Sequence, residues 1–112
     1  MISAEQIRIW CLAMMDVEES PHFEKTSFRI KKKIFATIDK AGEQVCVKLS
    51  LSDQSLFGLF DPTVVFPVPN KWGKLGWTFV VMDRIPEETM QDILKAAYEE
   101  VSHLRKASIA KK

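Results

Sequence analysis

Ser27-Phe28-Arg29-Ile30-Lys31-Lys32-Lys33-Ile34-Phe35-Ala36-Thr37 changes period abruptly from the helical spacing that precedes it. Phe28 and Ile30 alternate with Ser27, Arg29 and Lys31. After the three lysines, Ile34, Ala36 and Ile38 alternate with Phe35, Thr37 and Asp39. Two runs of period two around a basic turn predict a β-hairpin, with strands at about 27–31 and 34–39. A third strand at about 44–49 follows the Lys40-Ala41-Gly42-Glu43 turn, with Val45, Val47 and Leu49 on one face and Cys46 and Lys48 on the other.

Upstream, Ser3-Ala4-Glu5-Gln6 has the form of a capping box, and Ile7, Trp10, Cys11 and Met14 recur at helical spacing. This predicts a helix over about 4–15. Asp16-Val17-Glu18-Glu19-Ser20-Pro21 reads as an acidic turn. Downstream, Ser52 can cap a short helix through Leu56, Phe57, Leu59 and Phe60, which Asp61-Pro62 stops. Val64 to Val68 carries prolines and suits only an edge or irregular strand. Trp77 to Met82 is the clearest late strand. Pro86, followed by Glu87 and Glu88, opens the last helix, and Met90, Ile93, Leu94, Ala97, Tyr98, Val101 and Leu104 form its apolar stripe. Two amphipathic helices and a meander predict an α+β fold, an antiparallel sheet with both helices packed on one face.

At 112 residues, with 46% hydrophobic and 28% charged residues, the chain suits one domain with a single core. The domain is expected over 1–104, with a basic tail at 105–112. No apolar run or leader-like N-terminus is evident, so the expected location is the cytoplasm, with no membrane partner. Cys11 and Cys46 fall in a helix pattern and a strand pattern, and free thiols are expected.

The net charge of +1 conceals segregation. Residues 25–48 carry seven basic groups against two acidic ones, whereas residues 1–24 and 83–100 are each acidic. Catalysis has little support, because His22 and His103 sit in no motif and no phosphate loop or zinc spacing occurs. The expectation is a protein without catalytic residues, metal or cofactor. Asp16, Glu18, Glu19 and Glu24 are the only carboxylate cluster worth a metal hypothesis, and a solvated acidic loop is the preferred reading.

The hairpin just described, together with Phe66-Pro67-Val68-Pro69-Asn70-Lys71-Trp72-Gly73-Lys74-Leu75-Gly76-Trp77, resembles the MmcQ/YjbR family of small bacterial proteins. Members carry a similar "SFRV, basic turn, IFAT" hairpin and a similar "FPVP…GW" loop. The resemblance runs from about Ile7 to about Val101. It implies a CyaY-like (frataxin-like) sandwich, and an assignment as a DNA-binding protein. In that arrangement Phe28, Ile30, Ile34, Ala36, Ile38, Val45, Val47 and Leu49 face the helices, and Ser27, Arg29, Lys31, Phe35, Thr37, Cys46 and Lys48 lie on the open face.

The candidate nucleic-acid-binding residues are Arg29, Lys31, Lys32, Lys33 and Lys48, joined by Lys71, Trp72 and Lys74 from the loop. The lysines neutralise phosphates in this reading, and Phe35 or Trp72 supplies a stacking surface. No Asn or Gln accompanies them to read base edges, so contact with double-stranded DNA would be sequence-independent and salt-sensitive. Trp77 is expected to anchor the core and Trp72 to be exposed. The alternative is a protein-interaction or small-ligand module using loop 66–77 and the open sheet face. Lysines at a hairpin tip also serve solubility alone. A monomer is the expected state.

Overall fold

The computed structural model describes residues 2–102. The elements are α1 (Ala4–Leu12), β1 (Val17–His22), β2 (Lys25–Ile30), β3 (Lys33–Ile38), β4 (Gln44–Lys48), α2 (Leu51–Gly58), β5 (Val65–Pro67), α3 (Lys71–Lys74), β6 (Trp77–Val81) and α4 (Glu87–Val101). The strands form one antiparallel sheet in the order β1-β2-β3-β4-β6-β5. The expected tail at 105–112, and positions 103 and 104 at the end of the expected C-terminal helix, lie outside the described residues.

Local signals set most element ends. The Ser3 hydroxyl accepts the Gln6 N–H at 3.1 Å, as its capping-box position predicts. α2 is capped by Ser50, not Ser52, through the Asp53 N–H at 3.1 Å, because Leu51 and Ser52 already take up the first turn. Pro86 precedes α4, and Glu87 and Glu88 occupy its first turn, where the dipole favours negative charge.

The stretch read as an acidic turn is an edge strand. α1 ends at Leu12, and Asp16 (φ 67) swings the chain into β1, which pairs along its whole length from Val17 opposite Ile30 to His22 opposite Lys25. An edge strand needs partners on one side only, so Glu18, Glu19 and Pro21 are tolerated where a central strand would exclude them.

A bulge divides the central hairpin. Phe28 pairs with Ala36, but the next residue, Arg29, pairs with Ile34, which leaves Phe35 as the extra residue. The bulge turns Phe35 onto the helix-covered face, where it is fully buried and meets the Tyr98 ring edge to face at 5.8 Å. Ile34, expected in the core, is displaced to the open face and only half buried. Phe35 is therefore unavailable for stacking on a ligand.

Both long helices cover one face of the sheet. Ile7 and Cys11 of α1 join Met90, Ile93, Leu94 and Ala97 of α4 in one cluster with Phe28, Ala36, Val45 and Val47 of the strands. Arg8 of α1 donates to Glu19 of β1 at 2.8 Å, and the Tyr98 hydroxyl donates to the Met15 carbonyl at 2.8 Å. No helix among the described residues is long and apolar enough to cross a membrane.

Both cysteines are free thiols. Burial pushes Cys11 from 9.0 up to about 12. It pushes Cys46 to about 11, against an opposing pull from Lys25. An unfolded chain ionises its thiols near pH 9, before the folded one does, so folding stability is full below that pH and falls above it. For Cys11 the loss is expected to approach about 1.4 kcal/mol per pH unit above about pH 9. Denaturant titrations at pH 7.5 to 10.5 should show this slope and should show it reduced in Cys11→Ala. An unchanged slope in that variant would remove Cys11 as its origin.

Candidate nucleic-acid interface

The antiparallel pairings bring two lysine-bearing segments to one end of the sheet. The β2–β3 turn, the end of β4, the end of β5, α3 and the start of β6 all lie there, and the β1–β2 turn lies at the opposite end. Lys31 and Lys32 form a two-residue turn closed by the Ile30–Lys33 pair, and both have positive φ, 50 and 72. Two successive residues at positive φ are the signature of a type I′ turn, which Asn-Gly fills with least strain. Lysine in each place costs about 1 kcal/mol or more. Backbone preference therefore does not explain these residues, and both side chains are exposed at the tip.

α3 carries the second segment. Asn70 caps it by accepting the Trp72 N–H at 2.8 Å. Gly73 packs so closely on the Val68 carbonyl that a side chain would not fit. The Gln54 amide of α2 lies 3.0 to 3.2 Å from the Gly73 and Trp77 carbonyls and the Thr78 hydroxyl, clamping the loop from behind. Lys71 and Lys74 are exposed, and the Lys71 ammonium sits 5.8 Å from the centre of the half-exposed Trp72 ring.

Three other candidates are placed differently. Arg29 lies on the open face, where its guanidinium donates to the Ser27 hydroxyl at 3.0 Å and to the Pro21 carbonyl at 3.4 Å. Lys48 is half buried and pairs with Glu100 of α4 at 3.7 Å. Lys33 is exposed but opposite Ile30 in register, so it shares the helix-covered face instead of the tip. The geometry gathers Lys31, Lys32, Lys71, Lys74 and Trp72, and gives Arg29 and Lys48 intramolecular partners. Asp16, Glu18, Glu19 and Glu24 do not converge, since strand alternation sends Glu18 and Glu19 to opposite faces and Glu19 pairs with Arg8. Among the described residues no group of three or more Asp, Glu, His or Cys is placed to hold a metal ion.

A hollow of about 350 Å³ lies on the open face beside loop 66–77, the surface named in the alternative reading, and it also takes in residues of the β1–β2 hairpin that the sequence did not single out for it. The row Ser27, Thr37, Cys46, Phe79 and Phe66 runs across this face, strand by strand. Thr37, Cys46 and Phe79 line the hollow. Trp72 and Trp77 line it as well, and His22 and Lys25 reach it from the β1–β2 hairpin. Trp77 is thus half buried on the open face, not a core anchor as expected. Alternation already put Cys46 on this face. That α3 would fold Trp72 over it depends on contacts between segments remote in sequence.

These features define a small α+β domain with one sheet face under helices, the other open, and a basic end. The YjbR family model matches residues 12–100, and the chain belongs to that family. The fold is similar to the crystal structure of Deinococcus radiodurans protein DR2400, which carries a DUF419 domain. The TM-score is 0.79 at 19% identity, over 89% of this chain and 78% of that one. No curated protein matches the chain.

Proposed function

We propose that this YjbR-family protein is a non-enzymatic, cytoplasmic nucleic-acid-binding protein that contacts the phosphate backbone of DNA through Lys31, Lys32, Lys71 and Lys74. The observation that carries this reading is the pair of exposed lysines held at positive φ on the hairpin tip, at the same end of the sheet as α3. Two to three strand spacings separate the segments, about 10–15 Å. That span is comparable to the major groove width of about 12 Å, so the two clusters can reach phosphates on either side. Asn70 is occupied as a helix cap and Gln54 as a loop clamp, which leaves lysines to position the duplex without reading it.

The reading is tested by titrating labelled protein with duplex DNA over a salt series. Four phosphate contacts predict a logarithmic slope of about −3 to −4. Lys31→Ala/Lys32→Ala should reduce the slope by about two units and weaken all sequences alike. If the lysines serve solubility alone, no salt-dependent binding will be seen even at low ionic strength, and the proposal fails. Binding that is undiminished in the double variant would place the interface elsewhere.

A further inference from the structure

We infer that the open-face hollow is a nucleotide site that takes an unpaired base of single-stranded nucleic acid, stacked against Trp72 and Trp77, with its phosphate toward Lys25. This deepens the phosphate-contact reading and rests on it. The lining chemistry points to a planar, anionic ligand. Trp72, Trp77 and Phe79 offer aromatic surface, and base-on-aromatic stacking tolerates every base because each has a π-face. Thr37 and Cys46 are the polar groups of the middle row, and Lys25 and His22 come from the β1–β2 hairpin. No Asp or Glu lines the hollow, so nothing there repels a phosphate. Its volume falls at the low end of small-molecule pockets, about 300–1,000 Å³.

The position of the hollow favours a strand over a ligand unrelated to nucleic acid. Trp72 belongs to both surfaces, with one side near the Lys71 ammonium and the ring lining the hollow. Because Trp72 follows Lys71 directly in α3, a chain whose phosphates meet Lys71 can place a base against Trp72 in the hollow and continue toward Lys25. A duplex cannot use this site, because its bases are stacked and paired, and placing one here would require extruding it at a cost of a few kcal/mol. Phe23, at φ 60 on the turn, meets the His22 ring edge to face at 4.8 Å and is 91% exposed, so it adds no cover to the hollow.

Cys46 supplies a reporter within the hollow, with fully buried Cys11 as the silent reference. The whole protein is treated with N-ethylmaleimide at pH 8.5, and modification of each thiol is followed by mass spectrometry. Oligothymidylate of twelve nucleotides, at saturation, is expected to slow Cys46 modification about tenfold or more. A duplex of the same length at equal occupancy should leave it unchanged. Thymidine monophosphate forms a separate arm. Protection by the mononucleotide at equal strength would make a free nucleotide the occupant and overturn the single-strand assignment. Lys25→Ala and Trp72→Ala should each weaken oligothymidylate binding, Trp72→Ala by about 5- to 150-fold, the range for one stacked base. Lys25→Ala should leave duplex affinity within about twofold. If oligothymidylate binds with normal salt dependence but leaves Cys46 unprotected, the nucleotide site is wrong and the phosphate reading stands. If neither single strand nor duplex binds, both fall together.

Discussion

Gly76→Ala will cost about 4 kcal/mol or more of folding stability, a large share of the roughly 5–15 kcal/mol a domain possesses. Gly76 has φ 109, which L side chains rarely adopt, and a Cβ there would lie 1.9 Å from the Leu49 carbonyl oxygen. That oxygen is backbone and cannot swing aside. The segments must separate, and the hydrogen bond from the Leu49 N–H to the Gly76 carbonyl, 2.9 Å long, is lost with the separation. Backbone strain of about 1–3 kcal/mol, a hydrogen bond of about 1 and the disturbed junction of β4 with β6 together give the expected figure. Gly73→Ala should be the milder case. Its φ is ordinary, but a Cβ would meet the Val68 carbonyl at 2.0 Å and displace α3 with Lys71, Trp72 and Lys74. Gly58 at the end of α2 provides the control, since its nearest contact would be 3.7 Å away and alanine suits a helix better. Denaturant unfolding of the three variants should order them Gly76, Gly73, Gly58 by cost. A mild Gly76→Ala would mean that the Leu49–Gly76 approach is not close.

Phe35→Ala should cost about 3–5 kcal/mol, and Ile34→Ala only about 1. The difference rests on the bulge. Phe35 is fully buried and packed against Tyr98, so truncation removes a large apolar surface and leaves a cavity beneath α4. Ile34 is half buried beside the open-face hollow, where solvent can fill the space left behind. A regular hairpin would reverse the order of the two costs, because each side chain would then point the other way. Equal or inverted losses in equilibrium unfolding would therefore overturn the observed register directly, whatever the absolute stability of the protein.

The same pair of residues shows how far local pattern reaches. Alternation assigned Phe28, Ile30, Ala36, Ile38, Val45, Val47 and Leu49 to the core face, and all are buried. It failed at Ile34 and Phe35, where one extra residue changes the phase, and nothing in the composition of the hairpin marks the position of that residue. The basic segments were legible as charge. Which lysines remain available was not, because Lys48 finds Glu100 fifty-two positions away on α4. Trp72 and Trp77 were both singled out by the loop they sit in, but only the path of α3 over the open face reveals that they share a hollow.

The sequence by itself determined the α+β class, the meander, the cap of α1, the start of α4 and the basic hairpin, since each is written in residues a few positions apart. Periods of 2 and 3.6 and side-chain caps are local properties of the chain. The tertiary structure alone decided that residues 17–22 form an edge strand, that Phe35 turns inward, that Arg29 and Lys48 are engaged, and that His22, Lys25, Cys46, Phe79 and the two tryptophans meet. Each of these depends on contacts between remote segments. A polar stretch becomes a strand when a neighbour offers unpaired backbone groups. A bulge is fixed by which phase buries the larger ring, and a hollow exists only once a sheet has two faces and helices have covered one of them.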